Sequence, residues 1–341
     1  MRRIEPTDRG LAGAFFMPLS WLYGAGVRAR LALYGAGLLP SKKVDGIRVV
    51  SIGNLTVGGT GKTPVAVMLA SMLEKPAIVS RGYGRASVEP VQVVSDGKGH
   101  IAPYPEAADE ALACAETLPQ VPVICAPLRV DGIIAARDTF CAKTAVLDDA
   151  FSHLAAARDK NILLVDALDP FGGEKPLPAG RLREPLASAR RADAVLITRA
   201  NLADGPMLEK IRRRLAGLLK PDTPIFECAI AAENIITPAG ETVAAEEVLR
   251  SAAVTLVSGI ARPAQFEEAV KRLGGVVALH HIFADHHRFT DRELAVVTGG
   301  LLLTTQKDAA RMTQEHRGRF HQLTLKAAVR DEAAFAAWLS N

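Results

Sequence analysis

GNLTVGGTGKTP, residues 53–64, lies between two apolar runs of different character. Upstream, IRVVSI at 47–52 is rich in β-branched residues, which predicts a buried strand. Downstream, 65–73 is apolar and rich in helix formers. Strand, glycine loop and helix, in that order, form the setting of a phosphate-binding loop. Gly58, Gly59 and Gly61 let the backbone curl until several N–H groups face one anion. The helix N-terminus adds the positive end of its dipole. Lys62 has the reach for the outer phosphates, and the Thr63 hydroxyl suits a phosphate-bridging Mg²⁺. The generic pattern has glycine where this chain has Thr56, and the alternative is a plain glycine-rich turn. The expected nucleotide contacts are Thr56, Val57, Gly58, Gly59, Thr60, Gly61, Lys62, Thr63 and Pro64, with Asn54 just ahead of them.

A chain of 341 residues, 49% hydrophobic and 23% charged, can bury one large core or two modest ones. A net charge of +4 is too mild for a nucleic-acid footprint, and 5% aromatics leave few platforms for stacking bases. Cys114, Cys125, Cys141 and Cys228 show no C-x-x-C pairing, so they read as thiols in a reducing compartment rather than a metal site. No repeat or low-complexity tract is present, and no obligate protein partner is evident.

Between Arg9 and Arg28 no residue is charged: GLAGAFFMPLSWLYGAGV. That length touches the lower limit for a spanning helix, but Pro18, Ser20 and four glycines weaken it. Arg2, Arg3, Arg9, Arg28 and Arg30 make the flanks basic, while Glu5 and Asp8 argue against a signal peptide. Three readings stay open: a helix lying on an anionic membrane, a single spanning anchor, or a helix packed into the core.

Short, continuous apolar runs then alternate with helical segments. Strands are expected at 49–52, 77–80, 121–125, 144–147, 162–165 and 194–198, and after Pro224 at 226–230, 254–258, 276–281 and 300–305. Helices are expected at 202–220, 263–273 and 291–298. The fold class is α/β: a parallel sheet covered by helices, of the P-loop NTPase type, with ligands at the carboxyl ends of the strands. The expected division is an N-terminal membrane-associating helix at 1–42, a P-loop kinase domain at 43–220 and a smaller C-terminal α/β lobe at 221–341. The same sheet continuing past Pro221 is the alternative.

Several constellations can carry chemistry. Asp148 and Asp149 end an apolar strand, where an acid can hold Mg²⁺ or cap a helix. His153 follows four residues on. Arg81 sits among glycines at another strand end, suited to an anion or to a plain turn. Asp109 and Glu110 open a helical run, as dipole-stabilising acids or as a base for a hydroxyl. The loop LPAGRLREP, 177–185, is stiffened by proline and glycine and presents Arg181, Arg183 and Glu184. His280, His281, Asp285, His286 and His287 are dense, but adjacent residues do not share a face, so proton transfer fits better than zinc. Thr304, Thr305, Lys307 and Asp308 are placed to close the nucleotide side.

Taken together, GNLTVGGTGKTP, SRGYG at 80–84, Asp109–Glu110, LDDAFSH at 147–153, LPAGRLREP, SGIARP at 258–263, FADHH at 283–287 and TQKDA at 305–309 resemble the tetraacyldisaccharide 4′-kinase family, in order and across nearly the whole chain. PLSWLYG at 18–24 is similar to that family too. The resemblance implies transfer of the γ-phosphate of ATP, with Mg²⁺, to the 4′-hydroxyl of a tetraacylated glucosamine disaccharide 1-phosphate, the lipid A precursor. It implies an enzyme held at the cytoplasmic face of the inner membrane through its N-terminal helix. It also implies Asp109 as catalytic base supported by His286, Lys62 on the β- and γ-phosphates, and Thr63 on the metal. Asp148, Asp149 and Glu184 would stand at the metal, with Asn54, Arg81 and Arg183 on substrate or phosphate. The family's usual DDGFQH is DDAFSH here, and its usual Gly-His after SGI is Ala261-Arg262.

Two other classes compete. A nucleotide switch would need a guanine-reading Asn/Thr-Lys-x-Asp, which Thr198-Arg199-Ala200-Asn201 fails. A non-catalytic membrane adaptor would leave Asp109 and His286 dispensable.

Overall fold

The computed structural model describes residues 16–341. Strands are β1 (Arg48–Gly53), β2 (Pro76–Ser80), β3 (Gln92–Asp96), β4 (Pro122–Cys125), β5 (Thr144–Leu147), β6 (Lys160–Asp166), β7 (Ala194–Thr198), β8 (Ile225–Ile236), β9 (Thr242–Ala244), β10 (Ala253–Ser258), β11 (Val276–Ile282), β12 (Leu301–Thr305) and β13 (His321–Val329). They form one hydrogen-bonded sheet in the order β11-β10-β12-β13-β8-β7-β6-β1-β5-β2-β4-β3, with β9 paired to β8. Most pairs are parallel; β3 with β4, β8 with β13 and β8 with β9 are antiparallel.

Side chains on a strand alternate between its two faces, and this sheet is covered on both. Val50, Ile78, Val123 and Val146 point to one face, where they pack with Leu69 of helix Lys62–Met72 and Leu112 of helix Asp109–Thr117. Val49, Val79, Ile124 and Ala145 point to the other, against Ile133 of helix Arg129–Phe140. Burying one such aliphatic side chain contributes about 1.5–3 kcal/mol, so a register slip that exposed a strand's set would be heavily penalised.

The sheet runs without a break across Pro221. β7 pairs in parallel with β8, and the long β8 carries β13 on its other side. The C-terminal helix Glu332–Ser340 packs back on the first half: Phe335 and Leu339 are buried in the same cluster as Leu69. The basic helix is shorter than its sequence suggests, Gly205–Ala216 with an Asp204 cap, and helix 291–298 shrinks to Asp291–Ala295. In both, residues just past the helix still pack in the core, Leu218 and Leu219 after the first and Val297 after the second, so packing there does not require helix.

Helix Met17–Gly35 lies outside this core. Only Ser20 and Gly24 are buried along it, while Trp21 is 66% and Leu22 74% exposed. It touches the body through polar contacts: Ser20 Oγ accepts from the Ala179 amide at 2.8 Å, Tyr23 donates to the Arg183 carbonyl at 2.9 Å, and Arg30 to the Ser152 carbonyl at 3.1 Å. The reading of a core helix therefore does not hold for its described residues, because its apolar side chains face outward. Among the described residues no helix is long and apolar enough to cross a membrane. Residues 10–15 of the uncharged stretch lie outside the described residues.

Candidate active site

Strand β1 is flanked by β5 and β6, so its carboxyl end opens beside theirs, at a point where strand order changes direction. Residues 54–61 leave β1 as the glycine loop, and Lys62 begins the helix. Gly61 caps that helix at φ 81°, and a Cβ there would overlap the Ile230 side chain, so glycine is required twice over. Thr56 does not need glycine's freedom. It bridges to Leu182 in extended form, and its hydroxyl and carbonyl accept from the Asn54 amide at 3.1 and 2.7 Å. Asn54 Oδ1 in turn accepts from Lys62 Nζ at 3.4 Å, and the Gly58 carbonyl accepts from the same ammonium at 3.5 Å. The ammonium thus lies folded over the loop.

Asp149 Oδ1 stands 3.8 Å from Lys62 Nζ, and its carboxylate accepts from Arg183 at 3.0–3.2 Å. Burial would raise its pKa, but Lys62 and Arg183 outweigh burial and hold it below the usual carboxylate range. Asp149 adopts the left-handed backbone at φ 49°, a strained state typical of functional turns. Asp148 beside it behaves oppositely. Burial, then the charges of Glu110 and Asp149, push it up to about 7 against Lys62 and Arg129. Its Oδ1 is buried without a hydrogen-bond partner. A carboxylate in that condition wants a proton or a cation, and Mg²⁺ binds through one or two carboxylates plus substrate phosphates. The unpartnered Asp148 carboxylate therefore fits Mg²⁺. No larger cluster of His, Cys, Asp or Glu suited to a metal occurs among the described residues.

Asp109 opens helix Asp109–Thr117 and is buried. His286, 177 residues away, meets it with Nδ1 2.9 Å from Asp109 Oδ2. Arg311 Nε lies 3.5 Å and Lys307 Nζ 3.9 Å from the same oxygen, and Lys307 also reaches Glu110 at 3.1 Å. Burial would push Asp109 up; the His286 hydrogen bond and the charges of Lys307, His286 and Arg311 outweigh it and hold the carboxyl below its ordinary range. The same hydrogen bond raises His286. His286 is itself left-handed at φ 57°, and the Tyr83 ring meets it edge-on at 6.1 Å between centroids. A buried, ionised carboxylate with an imidazole on one oxygen can accept a proton from a hydroxyl.

These two groups form one electrostatic chain, because Glu110 contacts Lys307 beside Asp109 and raises Asp148 beside Lys62. Other candidates fall as follows. Arg81 is exposed at the end of β2, near enough to Arg129 and His153 to act on their charge. His153 is held neutral, its pKa pushed down to about 4 by burial and by Arg129. Glu184 is buried and pairs with Arg191 at 2.6 Å, and that guanidinium lies over the Phe151 ring. Helix Gln306–Ala309 turns Lys307 toward Asp109 and Glu110. The histidine cluster is divided among separate carboxylates: His280 with Glu267, His286 with Asp109, His287 with Glu293. Arg311, which sequence reasoning passed over, is fully buried and ties Asp308 and the carbonyls of Gly259 and His287 to Asp109.

The profile of the family described as tetraacyldisaccharide-1-P 4′-kinase matches residues 12–341. A tetraacyldisaccharide 4′-kinase of Anaeromyxobacter sp. (strain Fw109-5) is 41% identical over 301 residues, covering 85% of this chain and 80% of the relative. Its counterpart from Syntrophotalea carbinolica is 36% identical over 309 residues, covering 88% and 83%. Among solved structures, LpxK from Aquifex aeolicus in complex with ATP superimposes with a TM-score of 0.81 at 30% identity, covering 97% of this chain and 99% of that one.

Proposed function

The chain belongs to the tetraacyldisaccharide-1-P 4′-kinase family, and from that membership we propose how its side chains divide the reaction. It is an ATP-dependent kinase of lipid A biosynthesis, phosphorylating the 4′-hydroxyl of a tetraacylated disaccharide 1-phosphate. In our reading the amides of residues 58–63 cradle the phosphates of ATP, and Lys62 neutralises the outer ones. Thr63 and Asp148 would hold Mg²⁺, with Asp149 and Glu184 as further candidates; bound there, the ion would supply charge neutralisation to the transferring phosphate. Asp109 takes the proton of the 4′-hydroxyl, and His286 holds that carboxylate in place through Nδ1. Arg81, Asn54 and Arg183 face phosphate or the anionic sugar. The observation that carries this division is the 2.9 Å pair between Asp109 and His286, joined through Glu110 to Asp148 at the end of β5 beside the phosphate loop.

The P-loop part, residues 43–220, would hold ATP, and the part from 221 would bring His286 to it. Helix Met17–Gly35, with Trp21 and Leu22 outward and Arg28 and Arg30 on its flank, would rest on the cytoplasmic face of the inner membrane, where a four-chain lipid resides. Transfer of labelled γ-phosphate to the disaccharide 1-phosphate in detergent micelles tests the activity. Wild type should give 4′-phosphorylated product and Lys62→Ala should fall at least about 100-fold; no product from wild type that still binds ATP would sink the reading. Trp21→Glu with Leu22→Glu should cut vesicle binding about tenfold and spare turnover in micelles. Equal loss in both would remove the membrane role.

A further inference from the structure

Asp166 closes β6 and is fully buried, with Oδ2 2.6 Å from Arg199 Nη1 and 2.7 Å from Arg262 Nη1. Arg199 directly follows β7 in the left-handed region at φ 55°. Its Nη2 donates to the carbonyl of Gly59 at 2.6 Å, and its neighbour Thr198 donates from Oγ1 to the carbonyl of Thr60 at 2.9 Å. Arg262 arrives from the far side of Pro221, as the residue before helix Pro263–Arg272. Contacts therefore run in a line from Arg262 through Asp166 and Arg199 to the backbone of the phosphate loop.

The peptide plane explains why that line matters. In a trans peptide the carbonyl and the next N–H point opposite ways. Holding the carbonyls of Gly59 and Thr60 outward fixes the amides of Thr60 and Gly61 inward, the orientation an anion nest requires. Arg199 makes that grip, Asp166 fixes Arg199, and Arg262 shares the same carboxylate oxygen. Two guanidiniums on one buried carboxylate also leave an excess positive charge beside the site for a polyanion. Asp166 and Arg199 escaped the sequence reading, and Arg262 stands where the chain departs from the family's usual residue.

We propose that Arg262 is a positioning residue for ATP: acting through Asp166 and Arg199, it sets the Gly59 peptide, so the segment that caps helix Pro263–Arg272 tunes how well the loop receives phosphate. This rests on the loop being the ATP site. The test is equilibrium ATP titration of the full-length enzyme, with steady-state kinetics on both substrates, for wild type, Arg262→Ala, Arg262→Lys, Arg199→Lys and the Arg262→Ala/Arg199→Lys pair, each checked for an intact melting transition. Arg262→Ala should raise the ATP Kd about tenfold while KM for the disaccharide moves less than about twofold, and Arg262→Lys should recover most of the loss. In the Arg199→Lys background, where the grip on Gly59 is already released, Arg262→Ala should add little. Fully additive effects, an unchanged ATP Kd in Arg262→Ala, or equal loss toward both substrates would overturn the relay. A wild type that does not bind ATP would instead overturn the assignment of the loop, and the relay with it.

Discussion

Asp109 and Asp148 occupy regions that resemble each other in everything but their neighbours. Each is about as buried as the other, at 4% exposure, each stands at the end of an element facing the same cleft, and burial alone would raise both. Around Asp109 the chain places His286, Lys307 and Arg311, all from the segment beyond Pro221, and the carboxyl stays ionised. Around Asp148 it places Asp149 and Glu110, and the carboxyl rises to about 7. The difference teaches that burial sets the stakes and the local sign of charge decides the outcome. An ionised carboxylate beside an imidazole suits proton acceptance, whereas one whose burial and acidic neighbours outweigh Lys62 and Arg129 suits a metal.

The largest expected effect comes from emptying the first region of its base. Asp109→Asn keeps the shape and removes the charge, so kcat should fall about 10²–10⁴-fold with ATP affinity nearly unchanged. Quench-flow turnover beside ATP titration checks this. Loss of ATP affinity would mean that Asp109 belongs to the phosphate side after all.

A smaller effect, of opposite sign, should appear in stability at the second region. The folded state keeps the Asp148 proton up to about pH 7, while the unfolded chain releases it near the ordinary carboxylate value of 3.8. Wild-type stability is therefore whole below the unfolded value and is lost as pH rises through about 7. Asp148→Asn removes that loss, so without nucleotide at pH 8 it should be more stable than wild type by about 1–3 kcal/mol, the gap closing toward pH 4. Chemical denaturation at both pH values measures it, and a variant less stable at pH 8 would contradict the comparison.

The smallest effect tests the link between the regions. Glu110→Gln removes one cause of the high Asp148 value and one partner of Lys307. Turnover should fall less than about tenfold, and the stability difference between pH 4 and pH 8 should narrow. An unchanged pH dependence would show that the two regions are independent.

Much of the second region's position was legible in sequence, and for a physical reason. GGTGKT and LDDAFSH are local: a glycine loop and a strand end need only their own residues to announce them. The continuous apolar runs of β1, β5 and β7 are equally local, because both faces of those strands are covered. The strands that escaped are those with one polar face or an irregular pattern. HQLTLKAAV of β13 alternates and shows no unbroken run, while β8, expected at 226–230, runs on to Ile236 through Glu233 and Asn234, which interrupt its apolar pattern. The surroundings of Asp109 were visible only through family resemblance. Arg311 and Lys307 lie some two hundred residues away, and no spacing rule reports which carboxylate a helix will turn them toward. Glu184 adds a partner that no spacing reports: it is buried and pairs with Arg191, whose guanidinium lies over the Phe151 ring.

The most direct test reads both charges in one sample. Protein labelled with ¹³C at the aspartate carboxyl carbons is titrated from pH 3 to 9, with resonances assigned through Asp109→Asn and Asp148→Asn. The account predicts that the Asp148 resonance titrates near 7 and that Asp109 is already ionised below the ordinary carboxylate range. An Asp109 that titrates near neutrality beside an Asp148 ionised throughout would reverse the division of labour and contradict the account.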